Sequence, residues 1–196
     1  MNQLTNNPFD TILKQAAGRP VSADTKEIAS RHAERKQGDQ GVKIILADIS
    51  SSMAERVGAD SKIELLRKAL TQLGLDWTKY KLFAFHSFPQ KCLDANTIPE
   101  PTGSTALHLA LKECVIFQPQ TTLVISDGQP DDAAAALKEA DNLSGRIDCL
   151  YIGPENDVAA IAFMRALAAR TGGKVVTKDI AKEKQLQGST IRALLQ

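Results

Sequence analysis

From Val42 to the C-terminus, short apolar runs alternate with amphipathic segments, and few architectures accept that rhythm. Val42 to Ala47 reads as a buried strand. Ser61 to Leu73 reads as a helix, with Ser61 and Glu64 spaced as a capping box and Ile63, Leu66, Leu70 and Leu73 on one face. Lys81 to Phe85 predicts the next strand, and Lys91 to Asp94 a short return strand after a turn at Pro89. Ala106 to Phe117 has the spacing of a helix, with Leu107, Leu111 and Cys114 on its apolar side. Thr121 to Ser126 predicts a strand, Asp131 to Leu143 a helix, Ile147 to Ile152 a strand, and Val158 to Arg170 a helix closed by Gly172-Gly173. Lys174 to Val176 predicts a last strand, and a final helix is expected to carry Leu186, Ile191, Leu194 and Leu195. This is the pattern of an α/β protein with an open, doubly wound, mostly parallel sheet of about six strands, Rossmann-like, with helices on both faces.

Residues 1–40 break the rhythm. They are polar and rich in Asn, Gln, Lys and Arg, with one small apolar cluster at Phe9, Ile12 and Leu13 and a second helical stretch near Ala23 to Gln37. The expected organisation is a polar N-terminal arm over 1–40, flexible or loosely docked, and one domain over 41–196. The chain is 43% hydrophobic and 24% charged, with a net charge of +1, values typical of a globular protein. In the most basic stretch, Lys26, Arg31, Arg35 and Lys36 alternate with Asp24, Glu27 and Glu34. A nucleic-acid binder usually concentrates one sign of charge, so nucleic acid is not an expected partner. No window reaches the ~18 apolar residues of a membrane span, and the polar start gives no secretory pattern. Cys92, Cys114 and Cys149 are odd in number, widely spaced and in apolar contexts, which reads as small core residues rather than disulfides. A cytoplasmic setting is the expectation.

In an open parallel sheet, ligands gather outside the carboxyl ends of the strands. Two of those ends are conspicuous: Asp48-Ile49-Ser50-Ser51-Ser52-Met53 and Ser126-Asp127-Gly128-Gln129-Pro130-Asp131-Asp132. Between them, Gly103-Ser104-Thr105 opens a helix on the same edge. Asp48, Ser50, Ser52, Thr105 and Asp127 offer two carboxylates and three hydroxyls. An all-oxygen set of this kind suits a hard cation such as Mg²⁺, which takes six oxygens at about 2.0–2.1 Å and keeps some water. Asp131 and Asp132 read as charges at a helix N-terminus. His86 and His108 read as packed or rim residues and His32 as solvated.

Asp48-x-Ser50-x-Ser52, Thr105 in Gly-Ser-Thr and Asp127 in Ser-Asp-Gly together resemble the metal-ion-dependent adhesion site (MIDAS) of von Willebrand factor A (VWA) domains. Met53 after the triplet, Ser61-Lys62-Ile63-Glu64 opening a helix, and Thr171-Gly172-Gly173 before the last strand extend the likeness over about residues 42 to 180. Ser104 departs from it, since a second glycine is frequent there. The resemblance implies that Ser50, Ser52 and Thr105 bind a metal directly and that Asp48 and Asp127 bind it directly or through water. It implies Mg²⁺, with Mn²⁺ or Ca²⁺ as alternatives, and an open coordination position filled by a Glu or Asp of a protein partner. The site residues are expected at the rim of the sheet, outside the core.

The expected function is thus a non-enzymatic, metal-dependent protein-interaction module, a cytoplasmic adaptor in a larger complex. The alternative is a Mg²⁺-dependent phosphohydrolase of haloacid-dehalogenase type with Asp48 as nucleophile. That chemistry wants a general acid two residues later, where Ser50 stands, and a serine hydroxyl has too high a pKa for the task.

Overall fold

In the computed structural model, which describes residues 41–196, the first apolar run forms β1 (Lys43–Asp48), buried on both sides. Its side chains alternate between two cores, as the pleat requires. Ile45 and Ala47 face one, and Ile44 and Leu46 the other. β1 lies at the centre of a six-stranded sheet with β4 (Tyr80–Phe85), β5 (Pro89–Cys92), β6 (Thr121–Ser126), β7 (Arg146–Tyr151) and β8 (Val175–Thr177). The strand order is β5-β4-β1-β6-β7-β8, parallel throughout except for the antiparallel edge strand β5. The mostly parallel, doubly wound α/β architecture expected from the alternation is present. The expected arm over 1–40, with Phe9, Ile12, Leu13, His32 and the stretch Ala23 to Gln37, lies outside the described residues.

Each helix covers the face its apolar stripe dictates. α1 (Lys62–Gln72) buries Ile63, Leu66 and Leu70 beneath one side of the sheet, joined there by Ile191 and Leu194 of a C-terminal helix. α2 (Leu107–Val115), α3 (Ala133–Ala140) and α4 (Val158–Ala169) bury Leu111, Ala136 and Met164 against the other. Fully burying one such large apolar side chain contributes about 1.5–3 kcal/mol, so two dry faces on one sheet hold the domain. α1 is capped as expected: the Ser61 hydroxyl accepts from the Glu64 N–H while the Glu64 carboxylate accepts from the Ser61 N–H.

Four details depart from the sequence expectation. Pro89 does not make the turn but opens β5, paired with Phe85. Proline fits there because the first residue of an edge strand needs no N–H for the ladder. The segment after Met53, to which the sequence assigns no element, carries a two-stranded ribbon, β2 (Arg56–Val57) against β3 (Asp60–Ser61). The expected last helix is two short ones, α5 (Ile180–Glu183) and α6 (Gly188–Leu194), with Leu186 buried between them. Asp179 caps α5, and Lys184 ends it in the left-handed conformation at φ 53°. Helix α3 begins later than expected, with Asp132 as its cap accepting from the Ala135 N–H.

Candidate metal centre

The strand order sets where a site can form. From β1 the chain moves to β4 on one side, and later returns to β6 on the other. α1, which follows β1, and α3, which follows β6, pack on opposite faces. The loops after β1 and β6 therefore part in opposite directions and open a crevice at the carboxyl ends of these adjacent strands. Asp48 ends β1 and Asp127 follows β6, so both stand at that crevice.

Asp48 is fully buried and its carboxylate is held on both oxygens. One accepts from the Ser50 N–H at 2.7 Å and the other from the Ser126 hydroxyl. Burial pushes this carboxyl up to about 6, against the lowering pull of the Ser126 hydroxyl and the Ser50 N–H. The Ser50 and Ser52 hydroxyls lie 3.1 Å apart, and Ser52 donates to Asp127 Oδ1 at 2.8 Å. Asp127 Oδ2 accepts from the Lys62 ammonium at 2.7 Å, and Lys62 also pairs with Glu55 at 2.5 Å. Burial works against the charge on Lys62, but the bonds to Asp127 and Glu55 outweigh it and hold its pKa above the usual value.

Thr105 arrives on a third loop that is tied to the other two. Thr102 N–H donates to the Ile49 carbonyl, and the Ser51 N–H and hydroxyl both donate to the Gly103 carbonyl. Gly103 adopts φ +71°, and a Cβ there would stand 2.7 Å from the Ser87 hydroxyl, so the turn suits glycine alone. On the other side, Thr105 and Asp131 exchange two bonds: Thr105 N–H to Asp131 Oδ1 and Asp131 N–H to the Thr105 carbonyl. The backbone of Thr105 is thereby braced between the β1 and β6 loops.

Asp48, Ser50, Ser52 and Asp127 thus form a near-continuous hydrogen-bonded array, with Thr105 on an adjoining loop. Two corrections follow. The set does not lie wholly at a rim outside the core: Asp48, Ser50 and Asp127 are 0%, 3% and 4% exposed, whereas Ser52 is exposed and Thr105 half-buried. Asp131, directly before the cap of α3, does more than lend charge to the helix terminus: it also clamps the Thr105 loop, while Asp132 caps α3 as read. His86 is buried, with its Nε2 3.0 Å from the Gln90 amide, and His108 is half-buried in the first turn of α2. All three cysteines are buried and free. Lys62 and Ser126 are additions that the sequence reading missed. Lys62 was visible only as a helix-opening residue, and Ser126 only as the first letter of Ser-Asp-Gly.

Among the described residues no three His, Cys, Asp or Glu side chains converge as a metal site. Any cation held at this edge must therefore draw on hydroxyls as well as the two carboxylates. The donors present are all oxygen and partly anionic, a chemistry that fits a hard divalent ion and not a soft one.

No protein-family model and no curated protein matches the sequence. Solved structures do match in fold. An aerotolerance-related membrane protein from Bacteroides fragilis NCTC 9343, carrying multiple mutations to serine, is 17% identical with a TM-score of 0.53, over 79% of this chain and 96% of that one. The manganese-loaded TRAP protein of Plasmodium vivax is 18% identical with a TM-score of 0.58, over 80% of this chain and 72% of that one. A conserved hypothetical protein, BatB from Bacteroides thetaiotaomicron, is 18% identical with a TM-score of 0.54, over 74% and 94% of the two chains. At these identities the likeness is one of fold, and the fold is that of von Willebrand factor A domains.

Proposed function

We propose that this chain is a protein-interaction module that holds a divalent ion, Mg²⁺ in the first instance, at Asp48, Ser50, Ser52, Thr105 and Asp127. Through that ion it grips a Glu or Asp of a protein partner. The observation that carries the reading is the array itself: two buried carboxylates and two hydroxyls from adjacent strand ends, linked to one another, with a hydroxyl-bearing loop braced alongside. One fold neighbour, the TRAP protein of Plasmodium vivax, is manganese-loaded, which is consistent with a divalent ion on this architecture.

The ion would supply an electrophilic point for an anionic oxygen. The chain's own residues account for why that point stays hungry: three of the five donors are neutral hydroxyls, and the charge of Asp127 is partly spent on Lys62. A partner carboxylate that replaces water there recovers Coulomb attraction in a partly desolvated interface. Neighbouring surface sets specificity, since a metal–carboxylate bond alone cannot tell partners apart. Phe88, 53% exposed, stands on the same edge next to Ser87, whose hydroxyl lies 3.3 Å from that of Ser104. It offers a contacting apolar residue. A cytoplasmic adaptor role belongs to the same proposal.

The phosphohydrolase alternative finds less support. That chemistry needs a general acid two residues after the nucleophile, and Ser50, whose hydroxyl lies beside that of Ser52, cannot serve as one. The test is partner capture from native lysate with Mg²⁺, with EDTA, and with Thr105→Ala. The proposal expects a partner retained only by the wild type with Mg²⁺. A partner held equally in all three arms removes the metal from the function.

A further inference from the structure

Lys62 is 3% exposed, and lysine is almost never buried without a partner. Its place in the fold makes the burial more demanding. It is the first residue of α1, where the helix macrodipole disfavours a positive charge. The capping box of Ser61 and Glu64 already serves that helix end without it. What retains the ammonium is a pair of carboxylates: Asp127 at 2.7 Å and Glu55 at 2.5 Å. The β2–β3 ribbon brings Glu55 beside Lys62, and the Lys62 N–H donates to the Glu55 carbonyl at 3.0 Å. Asp127 is enclosed, whereas the Glu55 side chain is 62% exposed. The interior carboxylate is therefore the one that Lys62 neutralises in a poorly solvated setting.

We propose that Lys62 is a built-in counter-ion of the metal centre, occupying Asp127 Oδ2 so that one of the site's two carboxylates is answered without metal and the cation is bound with reduced strength. This rests on the metal reading of the site given above. Lys62 is a positioning residue and ligates nothing. Without it, Asp48 and Asp127 would place two carboxylates at one crevice with no cation between them. With it, one of those charges is already answered, and a divalent ion that enters faces a fixed ammonium across Asp127. The ion is then left with surplus positive charge, which a partner's carboxylate satisfies. Glu55 tunes the arrangement, because it draws the same ammonium away from Asp127 toward solvent.

Two replacements separate this from a merely structural role, because they are expected to move metal affinity in opposite directions. Mn²⁺ binding to the full chain is measured by calorimetry and by the loss of the free-ion paramagnetic resonance signal. Lys62→Met is expected to tighten Mn²⁺ by at least about tenfold, the order set by removing a like charge a few ångströms from the ion. It should also lower the melting temperature in EDTA and enlarge the rise in melting temperature on adding Mn²⁺. Glu55→Gln, at an exposed side chain, is expected to keep the fold and weaken Mn²⁺ binding, since the ammonium then belongs to Asp127 alone. If Lys62→Met does not fold without metal, Lys62→Gln keeps a hydrogen-bond donor without the charge and is expected to tighten binding likewise. Unchanged or weaker binding in a folded Lys62 variant, with no loosening in Glu55→Gln, overturns the counter-ion while leaving the metal site standing. A wild-type chain that binds no Mn²⁺ overturns the metal reading itself, and this inference with it.

Discussion

Asp127 carries the Ser52 hydroxyl on one oxygen and the Lys62 ammonium on the other, so its removal does more than delete a metal ligand. Asp127→Ala leaves a buried lysine without its interior partner. Breaking a buried ion pair in this way costs about 3–5 kcal/mol, and urea unfolding should show a loss of that order. Asp127→Ala combined with Lys62→Met should recover much of it, because no charge is then stranded. Equal stability of Asp127→Ala and wild type would mean that water satisfies Lys62. Ser126→Ala takes the hydroxyl from a fully buried carboxylate and should cost about 1–3 kcal/mol in the same measurement. At this scale, Asp48, Ser50 and Ser52 were legible because they sit two residues apart at a strand end. Lys62 and Ser126 were not, since their partners lie 65 and 78 residues away and only the register of the sheet brings them together.

Among the elements, caps and close approaches decide where the site loops point. The Ser61–Glu64 capping box starts α1 directly before Lys62, and Ser61→Ala should cost about 0.5–2 kcal/mol of stability, read by denaturant unfolding. Gly153, just past β7, lies so close to the β6 loop that a Cβ would stand 2.2 Å from the Asp127 carbonyl oxygen. Gly153→Ala should therefore shift Asp127 and weaken Mn²⁺ binding, even though residue 153 has no donor to offer. Unaltered Mn²⁺ affinity in a folded Gly153→Ala protein would show that the β6 loop tolerates displacement. Helix and strand identities could be read from periodicity alone, and α1 was legible to its cap. The β2–β3 ribbon was hidden because two residues per strand carry no period. The division of the last helix was hidden as well, because Asp179 and Lys184 act through a cap and a left-handed residue rather than through apolar spacing.

For the whole molecule, the alternation foretold a doubly wound parallel sheet, but not the order β5-β4-β1-β6-β7-β8 that makes β1 and β6 neighbours. Strand order depends on which apolar faces meet across loops, and no local window of sequence records that. Yet the order is what converts three scattered motifs into one crevice. The two clusters of buried residues on either face of the sheet belong to one compact unit, Gln40–Gln196. A chain shortened to begin at Gln40 should therefore fold and keep its metal affinity, with thermal melts of the long and short chains differing little unless residues 1–40 pack on the domain. Loss of folding on shortening would move the domain boundary. The central claim is that five residues from three loops hold one cation, and Thr105 is its sharpest probe. Its backbone braces the loop through Asp131, so removing the side-chain hydroxyl leaves those bonds in place. Calorimetric titration of Mn²⁺ into the full-length wild type and Thr105→Ala, with matched circular dichroism spectra, should give a single binding event in the first and none in the second. Equal binding by the two, or no binding by either, would contradict the account.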